Sequence, residues 1–300
     1  MTLKAAVAAW ITRKEINCAA STISGYRRLL RLYIDGTRPG DREIDEIDES
    51  DVIELLKPLI RRGCTRQAQL LQILVVAVVR DCVRRRVLAY NPMDCMERVK
   101  HTGKMTAWLT EEQAKIFLQK AKENEDPFFI AWLLMLCCGL RRGEMLGLRW
   151  TDIDFDRAEL HIVRQRIRVD GQVMFTQPKS AASVRHVPLS DHLLSILMLK
   201  RPAEAVAGEI VTVSEHVFAS ALDRALTAAE LPRVTLHGLR HTFASVAGAE
   251  DVPIITLQGL MGHAHYAVTA DIYTHVTDEP RRRAAETISA ALIGARLEIA

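Results

Sequence analysis

The chain has 300 residues, enough for two cores of ordinary size, and 49% of them are hydrophobic. No apolar run is long enough to span a bilayer, and the stretch from Met1 to Trp10 lacks the basic-then-apolar layout of a secretion signal, so a cytoplasmic chain with no membrane partner is expected. The net charge of +3 hides an asymmetry: residues 1–100 carry 18 Lys and Arg against 13 Asp and Glu, the remainder 22 against 24, which points toward a polyanionic partner for the first third.

In chain order, LKAAVAAWITRKEI and STISGYRRLLRLYI have helical spacing, followed by an acidic loop from Asp41 to Asp51. SDVIELLKPLIRRG predicts a helix capped by Ser50 and stopped at Gly63. TRQAQLLQILVVAVVRDCVRRRVL, capped by Thr65, is apolar enough to be the central helix of an all-helical unit over residues 1–97. Asn91-Pro92 ends it, and the polar stretch over 98–107 reads as a linker. A second unit over 108–300 opens with the capping box TEEQ at Thr110, and Asp126-Pro127 then starts the apolar helix FFIAWLLMLCC, ending at Gly139. AELHIVRQRIRV, the turn Asp170-Gly171 and QVMFTQ form a hairpin signal, SVRHVPL is a third strand, and helical pattern resumes from Ser190. Six scattered cysteines without a Cys-x-x-Cys pair read as reduced, mostly buried thiols.

The candidate chemistry begins at HGLRH, residues 237–241. Two histidines four apart suggest a metal, but Gly238 stands where a zinc protease needs glutamate, Arg240 is a fixed cation, and no further ligands cluster nearby. His237 and Arg240, three apart, instead suit an oxyanion such as phosphate. Further motifs accompany them: Gly139-Leu140-Arg141-Arg142-Gly143-Glu144 after the apolar helix, Lys179 in TQPKS, and LMGHAHYAVTADIYTH with His263 and Tyr273.

In this order and at these spacings, the motifs resemble those of the tyrosine recombinase, or phage integrase, family of site-specific DNA recombinases, and the resemblance covers essentially the whole chain. It implies a mainly α fold with a small antiparallel β-sheet: an all-α, SAM-like core-site DNA-binding domain followed by a mixed α+β catalytic domain. A tail helix over about 281–297 would dock on a neighbouring protomer or on its own domain. Carried over by position, Tyr273 is the nucleophile, Arg141 and Arg240 bind the scissile phosphate, His263 adds a donor, His237 is the base, Lys179 is the acid, and Glu144 orients Arg141. A phenol of reference pKa about 10 needs such a base near neutral pH. The implied reaction cleaves and religates DNA through a 3′-phosphotyrosyl intermediate, with no metal, ATP or other cofactor.

The implied partners are double-stranded DNA with short sites built from inverted core repeats, four protomers on two duplexes, and an excisionase or directionality factor. The role read from this is integration or excision of a phage or mobile element. A host dimer resolvase and a non-catalytic DNA-binding regulator are the alternatives, and the intact catalytic set argues against the latter. Arg61, Arg62, Arg66, Arg80, Arg84, Arg85 and Arg86, with Arg27 and Arg28, are candidate phosphate contacts, a solvated basic face being the alternative. Tyr26 could face DNA or the core. His241, His265 and His275 read as structural or exposed, His186 as a strand residue, and Trp108, Trp132 and Trp150 as core.

Overall fold

A computed structural model describes residues 1–101, 106–178, 181–202 and 208–262. By its contacts the chain divides into two compact units, Met1–Lys104 with Arg168–Val173, and Met105–Ile167 with Met174 onward. Among the described residues no helix is long and apolar enough to cross a membrane.

The first unit comprises α1 (Leu3–Lys14), α2 (Ala20–Tyr33), the short α3 (Arg38–Asp41), α4 (Glu49–Arg61) and α5 (Thr65–Arg84). Leu71, Leu74, Val75, Val78, Val79 and Cys82 form the buried stripe of α5, and α1 and α4 pack against it through Leu3, Val7, Leu55, Leu56 and Leu59. Gln72, also buried on α5, donates to the Glu97 carbonyl (2.7 Å) and accepts from the Val99 amide (2.8 Å). The start of the expected linker is thereby strapped along α5.

Two helix starts differ from expectation. The cap of α4 is Asp48, not Ser50: its carboxylate accepts from the amides of Ser50 and Asp51, and Asp51 reaches back to the Asp48 amide, completing a capping box. A carboxylate at the helix N-terminus also meets the positive end of the helix dipole. Thr65 does not cap α5. Cys64 takes that position without a side-chain bond, while the Thr65 hydroxyl pairs with His101 Nδ1 at 2.9 Å. The acidic loop is partly neutralised from within, because fully buried Asp51 takes Arg38 (3.1 Å) and Arg42 (2.7 Å).

The second unit contains α6 (Glu111–Glu123), α7 (Phe129–Cys138), α8 (Arg142–Gly147), β1 (Ile153–Asp154), β2 (Glu159–Ile162), the outer ends of β3 (Gln165–Val169) and β4 (Gln172–Thr176), whose turn-side residues Arg168–Val173 count with the first unit, and then β5 (Arg185–Pro188), α9 (Asp191–Lys200), α10 (Glu215–Ala228), α11 (Leu236–Ala249) and α12 (Ile254–Met261). Thr110 and Gln113 form the expected capping box of α6. The apolar α7 is the core helix, packed on α6 and α11, with Trp132 stacked on Phe218 at 4.6 Å. Trp150 is also core, whereas Trp108 is only half-buried.

β1, β2 and β5 form one antiparallel sheet, and β3 pairs with β4 in a separate hairpin. Asp170 (φ +48°) and Gly171 (φ +85°) both take left-handed conformations, as a two-residue hairpin turn requires. The run AELHIVRQRIRV is therefore two strands rather than one. Leu160 and Ile162 of β2 face the core, after which Arg164 turns to Asp152 (2.5 Å) and Arg166 to the carbonyls of Val211 and Val213. Alternate residues change partner there, so the ladder cannot continue.

Candidate phosphate-binding active site

Gly139 ends α7 in a left-handed conformation (φ +60°), and a Cβ there would lie 2.4 Å from the Phe243 ring. This sharp stop lets the chain turn at once through buried Leu140 to Arg141, immediately before α8. Arg141 Nη1 donates to Glu144 Oε1 at 2.7 Å and to Ser183 Oγ at 3.2 Å, and Nη2 donates to the Gly262 carbonyl at 2.6 Å. The Arg141 amide also donates to Glu144 Oε2, at 2.8 Å. The Arg141 side chain remains 32% exposed, against 1% for Glu144.

Glu144 is shared. Arg185 grips it through both terminal nitrogens, at 3.1 and 3.0 Å, and Arg240 Nη1 lies 4.0 Å away. Burial opposes ionisation of Glu144, but the hydrogen bonds and charge of Arg185, joined by Arg141, outweigh it and hold the carboxyl below the usual range. Three guanidinium groups around one carboxylate leave an excess of positive charge.

The C-terminus of α12 binds the same three arginines. Arg185 Nε donates to the Leu260 carbonyl (2.6 Å), Arg240 Nη2 to that of Met261 (2.7 Å), and Arg141 Nη2 to that of Gly262. Helix-terminal carbonyls lack partners within the helix and carry the negative end of its dipole, so cations satisfy both needs. Arg240 Nη1 additionally donates to the Gly139 carbonyl at 2.6 Å, tying α11 to the end of α7. Burial first, then repulsion from Arg141 and Arg185 partly offset by Glu144, pushes Arg240 down to about 9, which leaves it charged at neutral pH.

α11 is capped by Thr235, whose hydroxyl accepts from the Gly238 amide at 3.0 Å. His237 and Arg240 differ in depth, His237 being exposed and Arg240 buried to 1%. The His237 ring lies edge-on to His241, with centroids 4.7 Å apart. Although the residue keeps an exposed surface, its ring is partly desolvated where it packs on His241; that desolvation leads, and the charges of His241, Arg240, Arg141 and Arg142 add to it, pushing His237 down to about 4. A neutral imidazole results at neutral pH, able to accept a proton or to donate one hydrogen bond. Burial and the charge of Arg240 lower His241 as well. Among the described residues no third His, Cys, Asp or Glu joins this pair within coordinating reach.

The fold thus brings together Arg141, Glu144, Arg240 and His237 of the residues expected from the sequence. Lys179, His263, Tyr273 and the tail over 281–297 lie outside the described residues. Arg185 was not anticipated. Its signal was the strand alternation of SVRHVPL, which sets Arg185 on the same buried face as Val187. A cation on the apolar face of a strand needs a buried counter-charge.

In the first unit, Arg28, Arg61, Arg80 and Arg86 are exposed and form no ion pair among the described residues, while exposed Arg62 and Arg66 donate to Pro58 and Gln69. Arg27 pairs with Glu15 (2.6 Å), and Arg84 and Arg85 both pair with Asp81, at 2.8 and 2.9 Å. Those three are less free to meet a polyanion. Tyr26 belongs with the core, half-buried and edge-on to Trp10 at 5.2 Å.

Residues 107–280 match the phage integrase family and residues 3–99 the phage integrase central domain. A XerC-like tyrosine recombinase of Caldanaerobacter subterraneus is 31% identical over 53% of this chain and 48% of its own length, so the match spans about half of that relative. The ICEBs1 integrase of Bacillus subtilis is 24% identical over 82% of this chain and 72% of its own. Among solved structures, the Tn1549 transposon integrase in complex with circular intermediate DNA superposes with a TM-score of 0.80 at 21% identity, covering 96% of this chain and 99% of that one. A lambda integrase dimer bound to a core site gives 0.69 at 16% identity, over 91% and 77%. At these identities the structural likeness shows the fold: mainly helical, with small antiparallel sheets.

Proposed function

From the premise that this chain belongs to the phage integrase family, we propose that it is a tyrosine-type site-specific DNA recombinase serving the integration or excision of a mobile element. The observation that carries the reading is the arginine cluster. Arg141 is held on three sides by Glu144, Ser183 and the Gly262 carbonyl, yet about a third of its side chain stays accessible to an anion.

In this reading Arg141 and Arg240 take the non-bridging oxygens of the scissile phosphate, where charge builds in the five-coordinate transition state. Arg240 is buried with both terminal nitrogens on carbonyls, so it reaches phosphate through its remaining N–H groups or by exchanging one of those bonds. Charge-assisted bonds of this kind contribute about 1.5–3 kcal/mol each. His237, neutral at working pH, takes the proton of Tyr273 as the phenolic oxygen bonds to phosphorus. Lys179 gives a proton to the departing 5′ oxygen as the P–O5′ bond breaks, and His263 adds a donor to the phosphate. Religation reverses these transfers, with the phosphotyrosyl bond preserving the energy of the broken one.

The proposed partner is duplex DNA carrying inverted core repeats, bound by four protomers on two duplexes and influenced by an excisionase. The lambda integrase tetramer bound to a Holliday junction is a precedent of the same fold. A second reading within the same family is the resolution of chromosome or plasmid dimers by the same chemistry. Nicked suicide substrates bearing mobile-element ends or resolution sites test both. A covalent protein–DNA adduct is expected with the wild type and none with Tyr273→Phe. An adduct that survives the substitution removes Tyr273 as nucleophile, and the preferred substrate separates the two roles.

A further inference from the structure

We infer that Glu159, His161 and His186 bind a divalent transition-metal ion of the zinc class, on the face of the β2–β5 ladder opposite Arg185. The strand register sets His161 directly across from His186, and Glu159, two residues from His161, shares its face of the strand. On β5, Arg185 and Val187 are buried while His186 is exposed, so the ladder separates the two histidines from the arginine cluster.

The geometry is close to that of a bound site. Glu159 Oε2 lies 3.4 Å from His161 Nε2 and 3.5 Å from His186 Nδ1, and the three donor atoms fall within 4.8 Å of one another. Ligands about 2.1 Å from a tetrahedral zinc are about 3.4 Å apart, so two edges of the polyhedron already fit. Rotation of the His186 ring, whose side chain is 57% exposed, closes the third. Two imidazoles and a carboxylate suit zinc, cobalt, nickel or copper, whereas calcium and magnesium call for all-oxygen sites.

A separate observation points the same way. His161 Nε2 is buried and, although Glu159 Oε2 lies 3.4 Å away, it makes no hydrogen bond of proper geometry, a state that a coordinate bond would relieve. The imidazole rings already lie 4.2 Å apart at 34°, bringing the second nitrogen ligand alongside. The exposure of His186 leaves room for water to complete the shell. An ion here would fasten β2 to β5 and so steady the strand that presents Arg185 to Glu144. Its role is structural, and it stands independently of the function proposed above. Because His186 lies far along the chain from Glu159 and His161, no short ligand motif announces the site.

The test titrates chelator-treated, full-length protein with Zn²⁺ against a chromophoric competitor. His186→Ala and Glu159→Gln are compared with His192→Ala, which removes an exposed histidine of α9. One tight equivalent is expected in the wild type and in His192→Ala, with affinity at least about tenfold weaker in the other two. The melting temperature should rise with Zn²⁺ only in the two tight binders. Co²⁺ should give the visible bands of four- or five-coordination, lost in His186→Ala. Matching circular dichroism in chelator verifies that the variants fold. Failure of the wild type to hold an equivalent, or equal affinity in His186→Ala and His192→Ala, overturns the inference.

Discussion

Replacing Glu144 by glutamine keeps the shape of the side chain and removes the counter-charge of the arginine cluster. Three guanidinium groups would then face one another around a neutral amide, two of them nearly inaccessible to water: Arg240 at 1% and Arg185 at 6% side-chain exposure. Removing one partner of a buried, hydrogen-bonded ion pair costs about 3–5 kcal/mol, far above the value of a surface pair. For a unit of this size each kcal/mol shifts melting by roughly 2–4 °C, so a fall of about 6–20 °C is expected at pH 7. The pH dependence makes the prediction specific. Despite its burial, Arg185 and Arg141 hold the Glu144 carboxyl below its ordinary range in the folded state, so its contribution is complete above the unfolded value of about 4.3. That contribution is lost as pH falls through the lower folded value, where a protonated carboxyl resembles the amide. Calorimetric melts of both proteins between pH 7 and pH 3 should therefore show a wide gap that narrows below about pH 4.3. A gap smaller than about 1 kcal/mol at pH 7, or one that does not change with acid, would refute the assignment of Glu144 as the counter-ion.

Gly238→Ala in α11 should destabilise the protein, although alanine is ordinarily favoured in helices by about 1 kcal/mol, because the new Cβ would sit 2.5 Å from the Ala107 carbonyl oxygen. Urea melts read the sign directly. His237 is pushed down to about 4 from 6.5, so the unfolded chain binds the extra proton first and stability should fall as pH drops from 6.5 toward 4. His237→Gln should flatten that part of the stability curve, and adduct formation by the wild type should show no break near pH 6.5 attributable to this residue. In DNA binding, Arg80→Ala should reduce the salt dependence by about one counterion. Arg84→Ala should reduce it less, since Arg84 is already paired with Asp81. Equal slopes for the two variants would count against the ion pair as the reason.

Local chemistry wrote much of this protein in its sequence. The capping box at Thr110, the stop at Gly139 and the Asp170-Gly171 turn depend on residues within a few positions of each other, so their physics is legible in the linear chain. The grouping of Arg141, Glu144, His237 and Arg240 was legible as well, because their spacing and order resemble a family pattern. Local competition between residues of similar chemistry was harder to read: Asp48 displaced Ser50 as a cap because its carboxylate serves two amides and can share a box with Asp51.

What only the tertiary structure decided is how the arginines are held. Arg185 meets Glu144 across 41 residues, Leu260 across 75, and Arg240 meets Gly139 across 101. No periodicity carries those separations. They arise because burying a guanidinium requires a partner for its charge and for its N–H groups. The folded chain supplies both where Glu144 and the unsatisfied carbonyls ending α12 converge.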